Sequence, residues 1–203
     1  MHKWSWKLQT LTKQQLRKTL LTLRDTILPV QCDSAACSAV QIFLDHPLFA
    51  QSQNIACYAA KGNEFDCTPF IKAIWTAKKN CFLPVLLNNQ SLHFVSYQAD
   101  DSLHLNRYQI LEPRHGRIIS CAELDVVFLP MVGFDLQGGR LGMGGGYYDR
   151  TFSFLNREKI KKPYLVGLAY ECQYTPHISI ENHDVLVNAV LTEKQMYTFH
   201  SRN

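Results

Sequence analysis

Arg140 and Asp149 bracket Leu141-Gly142-Met143-Gly144-Gly145-Gly146-Tyr147-Tyr148, and Gly138-Gly139 precede them. A guanidinium, a carboxylate and a run of glycines suit the phosphates of a nucleotide. Arginine can donate two parallel hydrogen bonds to a phosphate. Aspartate supplies the hard oxygen that Mg²⁺ prefers when it bridges to nucleotide phosphates. Glycine lets a ligand come close to the main chain. The free N–H groups of such a loop, with the positive end of a following helix, face an anion.

Neighbouring elements must position these groups. Leu124 to Val132 is an apolar run that reads as a buried strand. Tyr147 to Asn156 reads as a helix, with Tyr148, Phe152 and Leu155 at near-helical spacing. Strand, glycine loop, helix is an order that holds phosphate. The common phosphate signatures are not met. No Lys-Ser or Lys-Thr follows the glycines, and in the frame starting at Gly142 the last glycine of the dinucleotide pattern is Tyr147. A flexible surface loop with a solvated Arg140 is the other reading, and the buried strand and aromatic helix on either side weigh against it.

Thr12-Lys13-Gln14-Gln15 matches a capping box. The helix it opens carries Leu16, Leu20, Leu23 and Ile27 on one stripe and Lys13, Arg17 and Arg24 on a second, ~70° away. Pattern alone favours long basic side chains lying over the helix's own apolar surface. Pro29 is expected to end this helix; Asp33-Ser34 cap a second, which Pro47 ends. Ile55 to Ala60 reads as a strand. The turn Lys61-Gly62-Asn63-Glu64 lies at its C-terminal end, where open α/β sheets bind ligands, although a lone turn glutamate is commonly solvated. Thr68-Pro69 starts a third helix that runs through Lys79. Phe82 to Leu87 and Leu92 to Tyr97 form a hairpin about Asn88-Asn89. Asp100 to Ser120 reads as a long loop, in which Tyr108 can stack on a flat heterocycle or pack the loop down. Tyr164 to Ala169 and Leu186 to Leu191 are the remaining strands. His177 and His183, without metal-ligand spacing, read as solvated or loop-ordering. Strands alternating with helices imply a three-layer α/β/α fold with a mainly parallel sheet, over one domain spanning 1–203.

Bulk properties narrow the function. The chain has 203 residues, 46% hydrophobic and 19% charged, which is globular composition. A net charge of +4 suits a small anionic ligand and falls short of a nucleic-acid footprint. Seven cysteines without Cys-x-x-Cys make neither a disulfide framework nor a zinc site, and reduced thiols point to the cytoplasm. Met1 to Trp6 has no signal-peptide core, Lys161-Lys162 reads as a solvated pair, and no stretch approaches a membrane span.

Arg140 to Asp149, preceded by Pro130 and Gly133-Phe134-Asp135, closely resembles the signature of the 5-formyltetrahydrofolate cyclo-ligase family. The resemblance is dense over 124–150 and thinner elsewhere. It implies a Rossmann-like sheet of the kind shared with sugar-phosphate isomerases and CoA-transferases. Lys13 and Arg17 match the family's Lys-x-x-x-Arg, whose side chains contact ATP phosphates. Arg140, Leu141, Gly142, Met143, Gly144, Gly145, Gly146, Tyr147 and Tyr148 match its ATP-binding loop, with Met143 to Tyr147 also lining the folate side. Ala59, Glu64 and Tyr108 match folate contacts, and Asp149 and Asp184 match two acidic Mg²⁺ positions. Arg140 and Lys13 are the implied catalytic pair.

The resemblance implies MgATP-dependent phosphorylation of the formyl oxygen of 5-formyltetrahydrofolate, ring closure by N10, and release of ADP and phosphate. The partners implied are reduced folate and ATP, not nucleic acid or membrane, acting on a monomer. Two departures stand out. Gly145 replaces a lysine carried by some members, and Asn188 replaces an aspartate carried by many. They motivate an alternative, a catalytically degenerate folate- or nucleotide-binding protein on the same fold. An isomerase or CoA-transferase reading would not need the metal-ligand type Asp149 directly after the double tyrosine.

Overall fold

The computed structural model describes residues 11–156 and 162–199; Met1–Trp6 and Lys161 lie outside them. An eight-stranded sheet runs through the molecule. Its centre is β7 (Val126–Pro130), flanked by β1 (Asn54–Ala56) and β10 (Tyr164–Leu168). On one side β1 leads to β2 (Asn80–Leu86), β3 (Leu92–Ser96) and β6 (Ile118–Ile119); on the other β10 leads to β11 (Ala189–Leu191) and β12 (Met196–Thr198). The β2–β1–β7–β10–β11 block is parallel, and β3, β6 and β12 are antiparallel additions. The expected mainly parallel sheet is therefore present, with the hairpin at Asn88-Asn89 where the turn residues put it.

Strand β7 shows why both faces are covered. Val126 and Phe128 point to one face, Val127 and Leu129 to the other, and all four are fully buried. The first face is closed by α2 (Pro29–Asp45) and α4 (Thr68–Thr76). Phe43 of α2 and Phe70 of α4 each meet Phe128 with ring centroids 4.9 Å apart. Aromatic contacts of this kind contribute about 0.5–1.5 kcal/mol beyond area burial. The second face is closed by shorter pieces: α5 (Tyr147–Thr151), a 3₁₀ turn at Ser153–Asn156, and the hairpin β8 (Gly133–Phe134) with β9 (Arg140–Leu141).

Helix α1 (Lys13–Arg24) starts on the expected capping box: Gln15 N–H donates to Thr12 Oγ1 and Thr12 N–H to Gln15 Oε1. Leu16 and Leu20 pack on Val132, Leu141 and Ile178, which anchors α1 beside the glycine hairpin. Several boundaries differ from expectation. Helix α1 stops at Arg24, so Ile27 lies past the helix, and Leu23 in its last turn is exposed rather than on the buried stripe. Pro29 opens α2 rather than ending α1, because proline's missing N–H costs nothing in a first turn. Pro47 likewise opens a short helix, α3 (Pro47–Gln51). Strand β1 ends at Ala56, and α4 ends at Thr76, after which Lys78 takes a left-handed conformation at φ 55°. The expected helix 147–156 divides into α5 and the 3₁₀ turn. β12, not β11, is the last strand.

The stretch 100–120 is not a plain loop. It contains the hairpin β4 (Leu103–Leu105) and β5 (Leu111–Pro113) and then β6. Asn106 shapes the tip: its Oδ1 accepts from the N–H groups of Tyr108 and Ile110, at 2.8 and 3.1 Å. Buried Glu112 accepts from Asn106 Nδ2 and from Leu86 N–H, tying the hairpin to β2. Tyr108 is thereby presented at the tip. Among the described residues no single helix is long and apolar enough to cross a membrane.

Candidate active site

The glycine stretch is a hairpin followed by a loop. Fully buried Asp135 holds its turn, accepting from the N–H groups of Gln137, Gly139 and Ile178 at 2.8–2.9 Å. A Cβ on Gly139 would stand 2.7 Å from the Asp135 carboxylate, so only glycine fits there. The turn sets Arg140 on β9. Gly142 to Gly146 then form the loop, and Gly146, left-handed at φ 65°, starts α5.

Arg140 is almost buried. One guanidinium nitrogen, Nη2, bonds Asp149 Oδ1 at 2.5 Å; the other, Nη1, is buried without a hydrogen-bond partner among the described residues. Asp149 Oδ1 also accepts from Val185 N–H at 3.1 Å, which brings Asp184 alongside. Lys13 crosses from α1 to bond Asp184 and Glu181, both at 2.9 Å. Burial alone would raise the Asp184 carboxyl, but the Glu181 N–H and the Lys13 ammonium hold it below its ordinary range. Burial works to lower the Lys13 ammonium, and the two carboxylates outweigh it. Arg17 Nε donates to Gly142 O at 2.7 Å, and its guanidinium lies against Gly144. Leu141 is buried as a packing residue, whereas Met143 is exposed on the loop.

The two tyrosines divide. Tyr147 turns outward to Tyr108, hydroxyl to hydroxyl at 3.1 Å with the rings edge to face. Tyr148 stacks inward on Phe152; burial, reinforced by the Glu64 carboxylate, pushes its phenol far above the ordinary range. Ala59 is half-buried past the end of β1. Glu64 accepts from Lys61 N–H at 3.0 Å, and burial raises its carboxyl against the opposing pull of that N–H and of the Arg24 and Lys61 charges. The turn is not merely solvated. Lys61 Nζ reaches Tyr108 O at 2.5 Å, and Asn63 Nδ2 reaches Asp25 Oδ1 at 3.1 Å. Lys13, Arg17, Arg140, Asp149 and Asp184 thus gather around the glycine loop, and Glu64, Tyr108 and Tyr147 form a second group joined through Lys61, to which no contact ties Ala59 among the described residues. A groove of about 490 Å³ along α2, lined by Val30, Ser34 and Ser38, holds none of the candidate residues.

Residues 9–193 match the profile of the 5-formyltetrahydrofolate cyclo-ligase family. The chain belongs to that family. The 5-formyltetrahydrofolate cyclo-ligase of Haemophilus influenzae is 35% identical over 183 residues, covering 88% of this chain and 96% of that protein. The cyclo-ligase of Escherichia coli K12 is 32% identical over 178 residues, covering 86% and 96%. The solution structure of Aquifex aeolicus 5,10-methenyltetrahydrofolate synthetase superposes with a TM-score of 0.81 at 26% identity, over 95% of both chains. By family this chain is a ligase of folate one-carbon metabolism, and the family uses ATP as co-substrate.

Both departures from the family signature have a local setting. Arg150 reaches back to Gly145 O, so a guanidinium stands at Gly145 although the residue carries no charge. Asn188 Oδ1 accepts from Leu165 N–H at 2.7 Å, joining β10 to the segment entering β11 near the strands' N-terminal ends, opposite the glycine-loop edge. Asp135, Glu181 and Arg150 were not singled out from sequence. Asp135 sits within the quoted Gly133-Phe134-Asp135, but nothing local says that its carboxylate turns back onto Gly139. His177 and His183 are exposed, and His183 stands 3.7 Å from Asp184 Oδ1.

Proposed function

We propose that this chain converts 5-formyltetrahydrofolate and ATP into 5,10-methenyltetrahydrofolate, ADP and phosphate, with phosphates at the glycine loop and folate at Glu64 and Tyr108. The observation that carries this arrangement is Arg140: a buried guanidinium with one free donor face, held by Asp149 at the start of a glycine loop that Arg17 also grips.

The formyl oxygen attacks the γ-phosphorus and ADP leaves, which turns a poor leaving group into phosphate. The N10 lone pair then attacks the formyl carbon, the C–O bond breaks, phosphate departs and N10 gives up its proton. Catalysis of phosphoryl transfer is mostly positioning and charge neutralisation. On this reading Arg140 Nη1–H donates to an equatorial phosphoryl oxygen. Lys13 exchanges part of its hold on Glu181 and Asp184 for a phosphate, and Arg17 fixes the loop. Glu64 accepts from donors on the pterin, and Tyr108 with Tyr147 closes over it. No protein nucleophile is required, since the substrate supplies both attacking atoms.

Mg²⁺ fits as a shared ligand set. Among the described residues no three or more His, Cys, Asp or Glu form a cage. Asp149 and Asp184 each keep one oxygen outside the hydrogen bonds above, and Mg²⁺ is commonly held by one or two carboxylates plus phosphate oxygens. When bound there it would neutralise developing charge on the phosphates.

The purified protein is incubated with 5-formyltetrahydrofolate and MgATP, and the methenyl product is followed by near-ultraviolet absorbance with ADP measured in parallel. Product and ADP should rise together and both fail in Arg140→Ala and Asp149→Ala. Binding of both substrates without either product would instead establish the degenerate-binder reading.

A further inference from the structure

Three cations surround the Tyr108–Tyr147 pair. Arg107 precedes Tyr108 at the hairpin tip. Its guanidinium carbon stands 5.0 Å over the Tyr108 ring, and Nη2 donates to the Tyr147 hydroxyl at 3.4 Å. Lys61 Nζ donates to Tyr108 O at 2.5 Å, and Arg150 stands 5.9 Å over the Tyr147 ring. All three residues are exposed, and among the described residues no carboxylate comes within 4.0 Å of any of their charged groups. At the glycine loop, by contrast, Lys13 and Arg140 both bond carboxylates.

The three differ in what already holds them. Lys61 bonds one backbone carbonyl, and Arg150 bonds two, Gln90 O at 2.9 Å and Gly145 O. Arg107 has one long hydrogen bond, to a neutral phenol, among the described residues. Stacking on Tyr108 orients its plane and leaves the other edge donors open. A planar fork of that kind takes a carboxylate through two parallel hydrogen bonds.

We propose that Arg107 binds a carboxylate of the glutamate tail of the folate substrate. The inference rests on the reading of Glu64 and Tyr108 as folate contacts. With the pterin at Glu64 and the formyl group turned to the glycine loop, the benzoyl-glutamate end leaves the site past Tyr108 and Tyr147. Its carboxylates are costly to bury, so they belong at an exposed rim, and Arg107 is the rim cation with open donors. The pair is solvated and screened by salt, so it sorts ligands with the tail from those without it rather than supplying most of the affinity.

The test measures dissociation constants by calorimetric titration for 5-formyltetrahydrofolate and for 5-formyltetrahydropteroate, which lacks only the glutamate. Equilibrium binding requires no turnover. The wild-type protein should bind the glutamate-bearing compound about fivefold more tightly, the upper end for an exposed ion pair. Arg107→Met should weaken that compound alone and bring the two constants within about twofold. Arg107→Lys should keep part of the preference, because it retains the charge and loses the fork. Raising salt from about 0.05 to about 0.5 M should shrink the wild-type ratio towards that of Arg107→Met. If Arg107 only packs the hairpin, Arg107→Met weakens both compounds alike and the ratio stays at its wild-type value. That result overturns the proposal, as does a wild-type ratio of one. Glu64→Gln separates the inference from the reading beneath it. If it leaves both constants unchanged, the folate reading of the turn fails and the inference with it. If it weakens both compounds alike while Arg107→Met keeps the wild-type ratio, the folate reading stands and Arg107 falls.

Discussion

The two ends of α1 treat their basic residues in opposite ways. At the N-terminal end Lys13 is partly exposed and doubly paired, to Asp184 and Glu181, and Arg17 rests on a loop carbonyl. At the C-terminal end Arg24 is buried, and its Nε has no hydrogen-bond partner among the described residues. A pre-paired, partly exposed cation exchanges one anion for another at little net cost and is screened by salt. An unpaired buried group gains far more from a well-placed ligand atom. On the proposed reading the Lys13–Arg17 end is the phosphate end, holding charge loosely until a nucleotide arrives, and the Glu64 turn is the folate end.

Breaking the centre of the phosphate end should have the largest effect. Arg140→Ala should lower kcat by about 10²–10³-fold, the scale of removing one donor to a developing oxyanion, while equilibrium titration shows folate binding retained. At the folate end, Glu64→Gln should raise the folate KM by about 10–100-fold, the worth of a charge-assisted hydrogen bond, with the ATP KM unchanged. Its stability should move the other way. A carboxyl raised in the fold costs stability when ionised, and that cost disappears as pH falls through its folded value, which lies above 4.5. Melts at pH 7 should therefore show a Tm no lower than wild type, with the difference vanishing in acid.

Lys13→Met sharpens the contrast, with an ATP KM raised by about tenfold and little change in Tm. The sign of the pH effect follows from both partners. Asp184 is depressed below 3.8, so the pair's contribution is lost as pH falls through that lower value; Lys13 is raised above 10.5, so it is lost again as pH rises through that higher one. Across neutral pH the wild-type and Lys13→Met melting curves should keep a constant separation. The smallest effect is expected at Gly145. Because Arg150 already stands there, Gly145→Lys should change kcat/KM for ATP by less than about threefold, with Tyr147 tilting to clear a Cβ placed 3.0 Å from its ring. A larger gain would show that Arg150 does not substitute.

Much of the frame was legible in the sequence. The capping box at Thr12, the apolar run through β7, the hairpin at Asn88-Asn89 and the glycine loop all carry local signals, and all form. The losses have physical causes. Proline at 29 and 47 reads from sequence as a stop, although the same residue suits a first helical turn. The stretch 100–120 lacks a run of alternating hydrophobics, so its hairpin, held by Asn106 and Glu112, was invisible. Arg24 was visible as a member of the basic stripe, and burial alone distinguished it from a residue lying over its own helix.

Sequence by itself determined that one helix carries its bases on one side, that a buried strand feeds a glycine-rich turn, and that family membership follows from the Arg140-to-Asp149 block. These are short-range facts, set by helical period, strand alternation and the conformations glycine allows. Only the tertiary structure decided that Lys13 meets Asp184, that Tyr147 faces Tyr108 while Tyr148 turns inward, that Arg150 stands at Gly145, and that Arg24 Nε is buried without a partner among the described residues. Each of these depends on segments distant in sequence being packed together, and neither periodicity nor spacing along the chain records which side chain will be opposite which.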